Sequence, residues 1–142
     1  MKIFVYGTLR PSLYPQRKPR NVTVVNKATL EGFTMWNLGR FPALTQKYNY
    51  VQGQDEAKVP SAKIVGEVYD IPQVSVFDGY EGYKADGTGL YDRDIMPCVL
   101  ETGERVMAWV YFMHTWKLRE VGGAATIVQS GDWADVMPKE VR

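Results

Sequence analysis

The sequence holds a single cysteine, Cys98, and a single histidine, His114. One cysteine excludes an intramolecular disulfide and any cysteine-based metal site. One histidine excludes an imidazole cluster around a metal. A Ser-His-Asp triad would have to use His114, and nothing in the sequence marks its nucleophile. Net charge is nearly absent as well, since 17 basic residues stand against 16 acidic ones. Such a chain carries no global field to draw in nucleic acid or an anionic membrane surface. No apolar run approaches the roughly 20 residues of a membrane span. No charged leader followed by a long apolar region precedes the first strand-like run. The Gly-x-x-x-x-Gly-Lys phosphate loop, the Gly-x-Ser-x-Gly elbow and the His-Glu-x-x-His helix are also missing. A reducing, cytoplasmic setting is expected.

What is present is a chain of 142 residues, the length of one domain with a real core, taken as a single unit over 1–142. Nine tyrosines and four tryptophans favour β structure and supply material for a lined pocket. No internal repeat, low-complexity tract or domain boundary stands out. Ile3, Phe4, Val5 and Tyr6 are all β-branched or aromatic. They read as a short strand covered on both faces. Gly7 ends it, and Thr8, Leu9, Arg10 and Pro11 follow. A strand end that shows backbone N–H groups beside a hydroxyl can hold a carboxylate or phosphate. An ordinary strand-to-turn transition is the competing reading.

Residues 11–20 hold three prolines and three basic side chains, a loop that is either a solvated surface or an attractor of anions. Residues 22–30 and 33–36 read as strands around a Glu31-Gly32 turn. Residues 37–44 read as a loop over the core or a cleft, because Leu38, Phe41 and Leu44 persist through it. Residues 46–61 read as an exposed excursion. Residues 64–70 return to strand character, with Gly66 marking close backbone approach or a bulge. Asp70, Pro72 and Gln73 then carry the signature of a helix start. The helix is expected to run to about Gly82, with Val74, Phe77 and Tyr80 on one face. Glu81 lies at the edge of that face, near the helix C-terminus, where the dipole disfavours an acid. That conflict marks it as a functional candidate, against the reading of an acid reaching water at the rim. A glycine-rich loop over 82–89 precedes a hairpin of 90–100, with Pro97 at an edge or bulge, and 105–113. A short helix is expected within 124–133. Cys98 reads as buried and inert. His114, just past the second hairpin strand, reads as structural or exposed.

Tyr6-Gly7-Thr8-Leu9, Gly66-Glu67-Val68-Tyr69, Asp78-Gly79-Tyr80-Glu81, Tyr91-Asp92-Arg93 and Ser130-Gly131-Asp132-Trp133 occur in that order. Together they resemble the γ-glutamylcyclotransferase-like family, including its γ-glutamylamine cyclotransferase and small bacterial members. The resemblance implies an α+β fold, a small mixed β-barrel with a few flanking helices and a cavity at one end. It implies that Tyr6, Gly7, Thr8 and Leu9 hold the amino-acid end of a γ-glutamyl group, with Tyr91 and Arg93 as further pocket residues. It implies that Glu81 is the general acid/base of an intramolecular cyclisation to 5-oxoproline that needs no metal or cofactor. The partner expected is a small γ-glutamyl molecule, without nucleic acid or membrane, and a homodimer is left open. Tyr91 and Arg93 also fit a core tyrosine and a surface ion pair. The loop over 83–89 reads as a lid or a modifier of the leaving-group pocket. A non-catalytic member of the same fold, binding a metabolite or a protein, is the alternative, and Glu81 separates the two. A nucleic-acid-binding barrel is a third reading, and the charge balance opposes it.

Overall fold

A computed structural model describes residues 1–17, 22–46, 63–73, 75, 77–78, 84, 86, 89–121 and 123–138. Its strands are β1 (Lys2–Val5), β2 (Thr23–Leu30), β3 (Phe33–Asn37), β4 (Pro42–Gln46), β5 (Ile64–Asp70), β6 (Asp92–Leu100), β7 (Arg105–Phe112) and β8 (Thr126–Ile127). Five of them close a barrel in the order β1-β5-β2-β6-β7, and β4-β3-β8 form a second sheet. β1 runs antiparallel to β5 but parallel to β7, so the barrel is mixed. A helix covers Thr115–Val121, and single 3-10 turns cover Pro15–Arg17 and Trp133–Asp135. This is the expected α+β barrel with few helices.

The barrel closes on the stretch that looked most like a two-faced strand. Side chains of a strand alternate between faces. In β1, Phe4 packs into one core cluster with Leu30, Val68 and Val110. Ile3 and Val5 pack into the other, with Tyr69, Tyr111 and Met113. β7 divides the same way, Ala108, Val110 and Phe112 against Tyr111. Gly66 sits where β5 crosses β1. A Cβ there would run into the Val5 carbonyl and lie 2.5 Å from Phe4 Cζ. That is the close approach for which a strand glycine is used.

The β6–β7 hairpin pairs from Asp92↔Phe112 to Val99↔Arg105. β2 meets β6 only at Ala28↔Leu100 and Thr29↔Val99, so Pro97 lies beyond the β2–β6 pairing. Its register partner is Met107 of β7, and on the β2 side no pairing among the described residues needs its missing N–H.

Two expectations change. Residues 37–44 do not remain a loop: Pro42 opens β4, which pairs with β3 from Asn37↔Pro42 to Phe33↔Gln46. Proline suits the first position of a strand, and the tight turn before it uses Gly39 at φ +103°. The short helix expected in 124–133 is replaced by β8, whose Trp36↔Ile127 pairing extends the second sheet. Among the described residues of 124–138, the helical turn begins at Trp133. Of the expected helix from Asp70, residues 75, 77 and 78 are helical and Phe77 is fully buried. Val74, Tyr80 and Glu81 lie outside the described residues, as do 47–62 and most of the loop over 83–89.

Candidate active site

A cavity of about 320 Å³ opens where β1 ends. Its floor is the chain from Val5 to Leu9, and Phe41, Pro42, Leu90, Tyr91 and Tyr111 form the walls. The floor is shaped by a turn in which Arg10 N–H donates to the Gly7 carbonyl at 3.0 Å. Gly7 is required by contact: a Cβ on it would lie 2.7 Å from both Cγ and Cδ of Pro42. Among the described residues, neither the Thr8 nor the Leu9 amide has an acceptor. Successive amides of this kind in a turn form an anion-binding concavity.

Beneath the floor, Arg10 is buried. Its Nε donates to Glu67 Oε2 at 2.8 Å and its Nη1 to Asp132 Oδ1 at 2.8 Å. Ser12 adds two donors to Glu67, from N at 3.1 Å and from Oγ at 2.8 Å. The Arg10 cation is therefore committed to the scaffold and does not face a ligand. Tyr69 Oη donates to the Leu9 carbonyl at 2.9 Å, fixing the far end of the floor. Burial, reinforced by the nearby Glu67 charge, pushes the Tyr69 phenol up to about 12, so it stays a donor. The Gly-Glu-Val-Tyr and Ser-Gly-Asp-Trp stretches thus act as supports for the floor. Asp132 also accepts from the Ala134 amide, and Trp133 Nε1 donates to Tyr14 Oη at 3.1 Å.

The walls are tied by tyrosine hydroxyls. Tyr91 donates to the Pro42 carbonyl at 2.8 Å and Tyr6 to the Tyr111 carbonyl at 2.6 Å. Tyr111 in turn donates to Asp78 Oδ1 at 2.5 Å. Arg93 Nε lies 3.6 Å from the same Asp78 oxygen, and its guanidinium packs over Trp109 at 5.0 Å. Of the residues expected from sequence, Tyr6, Gly7, Thr8, Leu9 and Tyr91 line the cavity. Arg93 stands behind the wall, on Asp78. Glu81 lies outside the described residues. Unforeseen lining residues are Arg40, Pro42, Leu90 and Tyr111, while Arg17 comes from the basic loop whose alternative reading is an attractor of anions. Tyr111 lies within the most strand-like run and Arg40 beside the apolar residues of its loop, so neither carries a local signal of a pocket.

Cys98 is fully buried, and burial pushes its thiol up to about 12, which removes it from nucleophilic chemistry. His114 pairs with Asp92 at 3.1 Å and stacks on Trp116, away from the cavity lining. No described helix is long and apolar enough to cross a membrane.

Comparison with curated proteins returns no match. Solved structures share the fold. YkqA from Bacillus subtilis is 22% identical with a TM-score of 0.59, over 94% of this chain. This chain spans only 39% of YkqA. An uncharacterized protein from Pyrococcus horikoshii is 18% identical with a TM-score of 0.54, over 96% of this chain and 92% of its own. A structure described as a gamma-glutamyl cyclotransferase is 14% identical with a TM-score of 0.56, over 99% of this chain and 89% of its own. The sequence profile described as "Gamma-glutamyl cyclotransferase, AIG2-like" matches residues 3–135. That match runs from the first strand of the barrel to the last helical turn, and by it the chain belongs to the AIG2-like γ-glutamyl cyclotransferase family.

Proposed function

We propose that the chain cyclises a γ-glutamyl compound to 5-oxoproline and releases the free amine. The observation that carries this reading is the cavity floor, two amides without an acceptor among the described residues, on a turn at Gly7. They suit the α-carboxylate of a γ-glutamyl group. A volume of about 320 Å³ is at the small end for ligand sites, which span roughly 300–1,000 Å³. It suits a folded γ-glutamyl unit with a short leaving group.

The substrate's own α-amine attacks its γ-carbonyl carbon. A C–N bond closes the five-membered ring, and the C–N bond to the leaving amine breaks. The attacking ammonium loses two protons as it becomes the lactam N–H; one goes to the leaving nitrogen as its C–N bond breaks and the other protonates the freed amine, so no water is consumed. Glu81 is the group we assign to that transfer, first as base and then as acid. The protein's larger task is to hold the chain of the substrate in the bent, near-attack shape. Tyr91 shapes the wall of that enclosure. Arg93 and Tyr111 both engage Asp78, three positions before Glu81 in the sequence.

The test is 5-oxoproline release from a panel of γ-glutamyl amides, amino acids and peptides, with Glu81→Gln as the paired variant. Product from the wild type and none from a folded Glu81→Gln variant supports both the reaction and the base. A Gln variant with a near wild-type rate removes Glu81 from the mechanism. No product across the panel refutes the cyclotransferase reading and leaves a binding protein.

A further inference from the structure

We propose that Arg17 and Arg40 select γ-glutamyl compounds whose leaving amine is an amino acid or short peptide bearing a free carboxylate. This specificity rests on the cyclotransferase reading of the same cavity. Both arginines line the cavity and both are exposed, which sets them at its solvent side. They arrive from separate loops, each with its own support. Arg17 ends the 3-10 turn Pro15–Arg17, and its guanidinium lies 5.2 Å over the Tyr14 ring. Tyr14 is buried and held by Trp133 Nε1. Arg40 sits at the tip between β3 and β4. There Asn37 Oδ1 accepts from Gly39 N–H at 2.7 Å, and Leu38 N–H donates to the Phe41 carbonyl.

The electrostatic contrast with Arg10 is informative. Arg10 is neutralised by two carboxylates, whereas Arg17 and Arg40 have no carboxylate partner among the described residues. No described lining residue is acidic. Behind the wall, Asp78 is occupied by Tyr111 and Arg93. The mouth therefore carries two available cations and no described counter-charge. The floor amides already suit the α-carboxylate at the inner end. The leaving group occupies the outer end, because it must depart through the opening. A carboxylate on it meets two guanidinium groups shaped for charge-assisted hydrogen bonds. A neutral amine gains nothing there, and a cationic one is repelled.

The experiment compares kcat/KM for 5-oxoproline release from three near-isosteric substrates. γ-Glutamyl-glycine has an anionic leaving group, γ-glutamyl-glycinamide a neutral one and γ-glutamyl-ethylenediamine a cationic one. Each is measured on the wild type and on the Arg17→Ala/Arg40→Ala double variant. The wild type is expected to prefer the glycine substrate to the glycinamide one by about tenfold or more, the size of one partly screened charge-assisted contact. The cationic substrate is expected to be slowest. In the double variant the glycine-to-glycinamide ratio should fall close to one. A wild-type ratio near one overturns the proposal while leaving the cyclotransferase reading intact. A proportional loss on all three substrates, with the ratio preserved, also overturns it. That result would assign the arginines to the shared α-carboxylate. No product from any of the three, or from the wider panel, overturns the cyclotransferase reading itself and the specificity with it.

Discussion

Replacing Glu67 by Gln should destabilise the fold far more than its small change in shape suggests. The Glu67 side chain is 5% exposed and that of its partner Arg10 4%. As a carboxylate it accepts three hydrogen bonds, one from Arg10 and two from Ser12. An amide keeps one accepting oxygen and turns an NH2 group towards donors. The Arg10 charge then stays buried with only Asp132, whose side chain is 27% exposed. Breaking a buried ion pair on one side costs about 3–5 kcal/mol. The surviving Asp132 contact puts this case at the lower end, about 3 kcal/mol. For a chain of 142 residues that corresponds to a fall in Tm of about 10 °C. Urea and thermal unfolding followed by tryptophan fluorescence measure it directly. A second comparison isolates the cause: Arg10→Met with Glu67→Met should be more stable than Glu67→Met alone, because the double variant leaves no buried cation. A loss below about 1 kcal/mol for Glu67→Gln, or a double variant worse than the single, would refute the argument.

Gly7→Ala forces a carbon 2.7 Å from Pro42 into a gap that needs roughly 3.5–4.0 Å. It should cost about 1–3 kcal/mol by overpacking and raise KM as the floor shifts, read by unfolding and steady-state kinetics. Tyr69 and Cys98 both titrate near 12 in the fold, above their ordinary values of 10.0 and 9.0. The unfolded chain therefore releases protons first, so stability should fall as pH rises from about 9 to about 12. Tyr69→Phe should flatten the upper part of that fall in a urea series taken against pH; an unchanged slope would remove Tyr69 from it. Cys98 should resist a thiol reagent at pH 8 in buffer and react in urea. Rapid labelling of the folded chain would contradict its burial.

The parts of the fold that were legible in the sequence are those where one residue type decides the outcome. Ile3 to Tyr6 had no polar face to expose, and Gly66 had no side chain to offer at a strand crossing. The 105–113 run was long and rich enough in valine and aromatics to outweigh context. β4 was obscured because Pro42 and Gly39 carry strong local turn signals, while its strand character comes from pairing with β3. β8 is a two-residue strand, and only Trp36 and Asn37 across the ladder make it one. The cavity floor was legible as Tyr6, Gly7, Thr8 and Leu9. The fate of Arg10 was not, because its partners Glu67 and Asp132 are 57 and 122 positions away. Of the basic residues at 11–20, Arg17 reaches the cavity; Lys18 and Arg20 lie outside the described residues.

The closure of the barrel has a consequence for how the chain reaches its fold. β1 pairs with β7, Tyr6 Oη reaches the Tyr111 carbonyl 105 positions on, and Arg10 waits for Asp132, 122 positions on. Contacts this distant in sequence place folding in the slow, milliseconds-to-seconds regime of non-local β topologies. During synthesis at about 5–20 residues per second, β1 emerges several seconds before either partner exists. β5 can cover one edge of β1 earlier, but for that interval the edge that β7 will take is open and Arg10 lacks its Asp132 partner. Closure of the barrel at the β1–β7 seam therefore waits for the C-terminal part of the chain, and the first strand keeps one open edge until then.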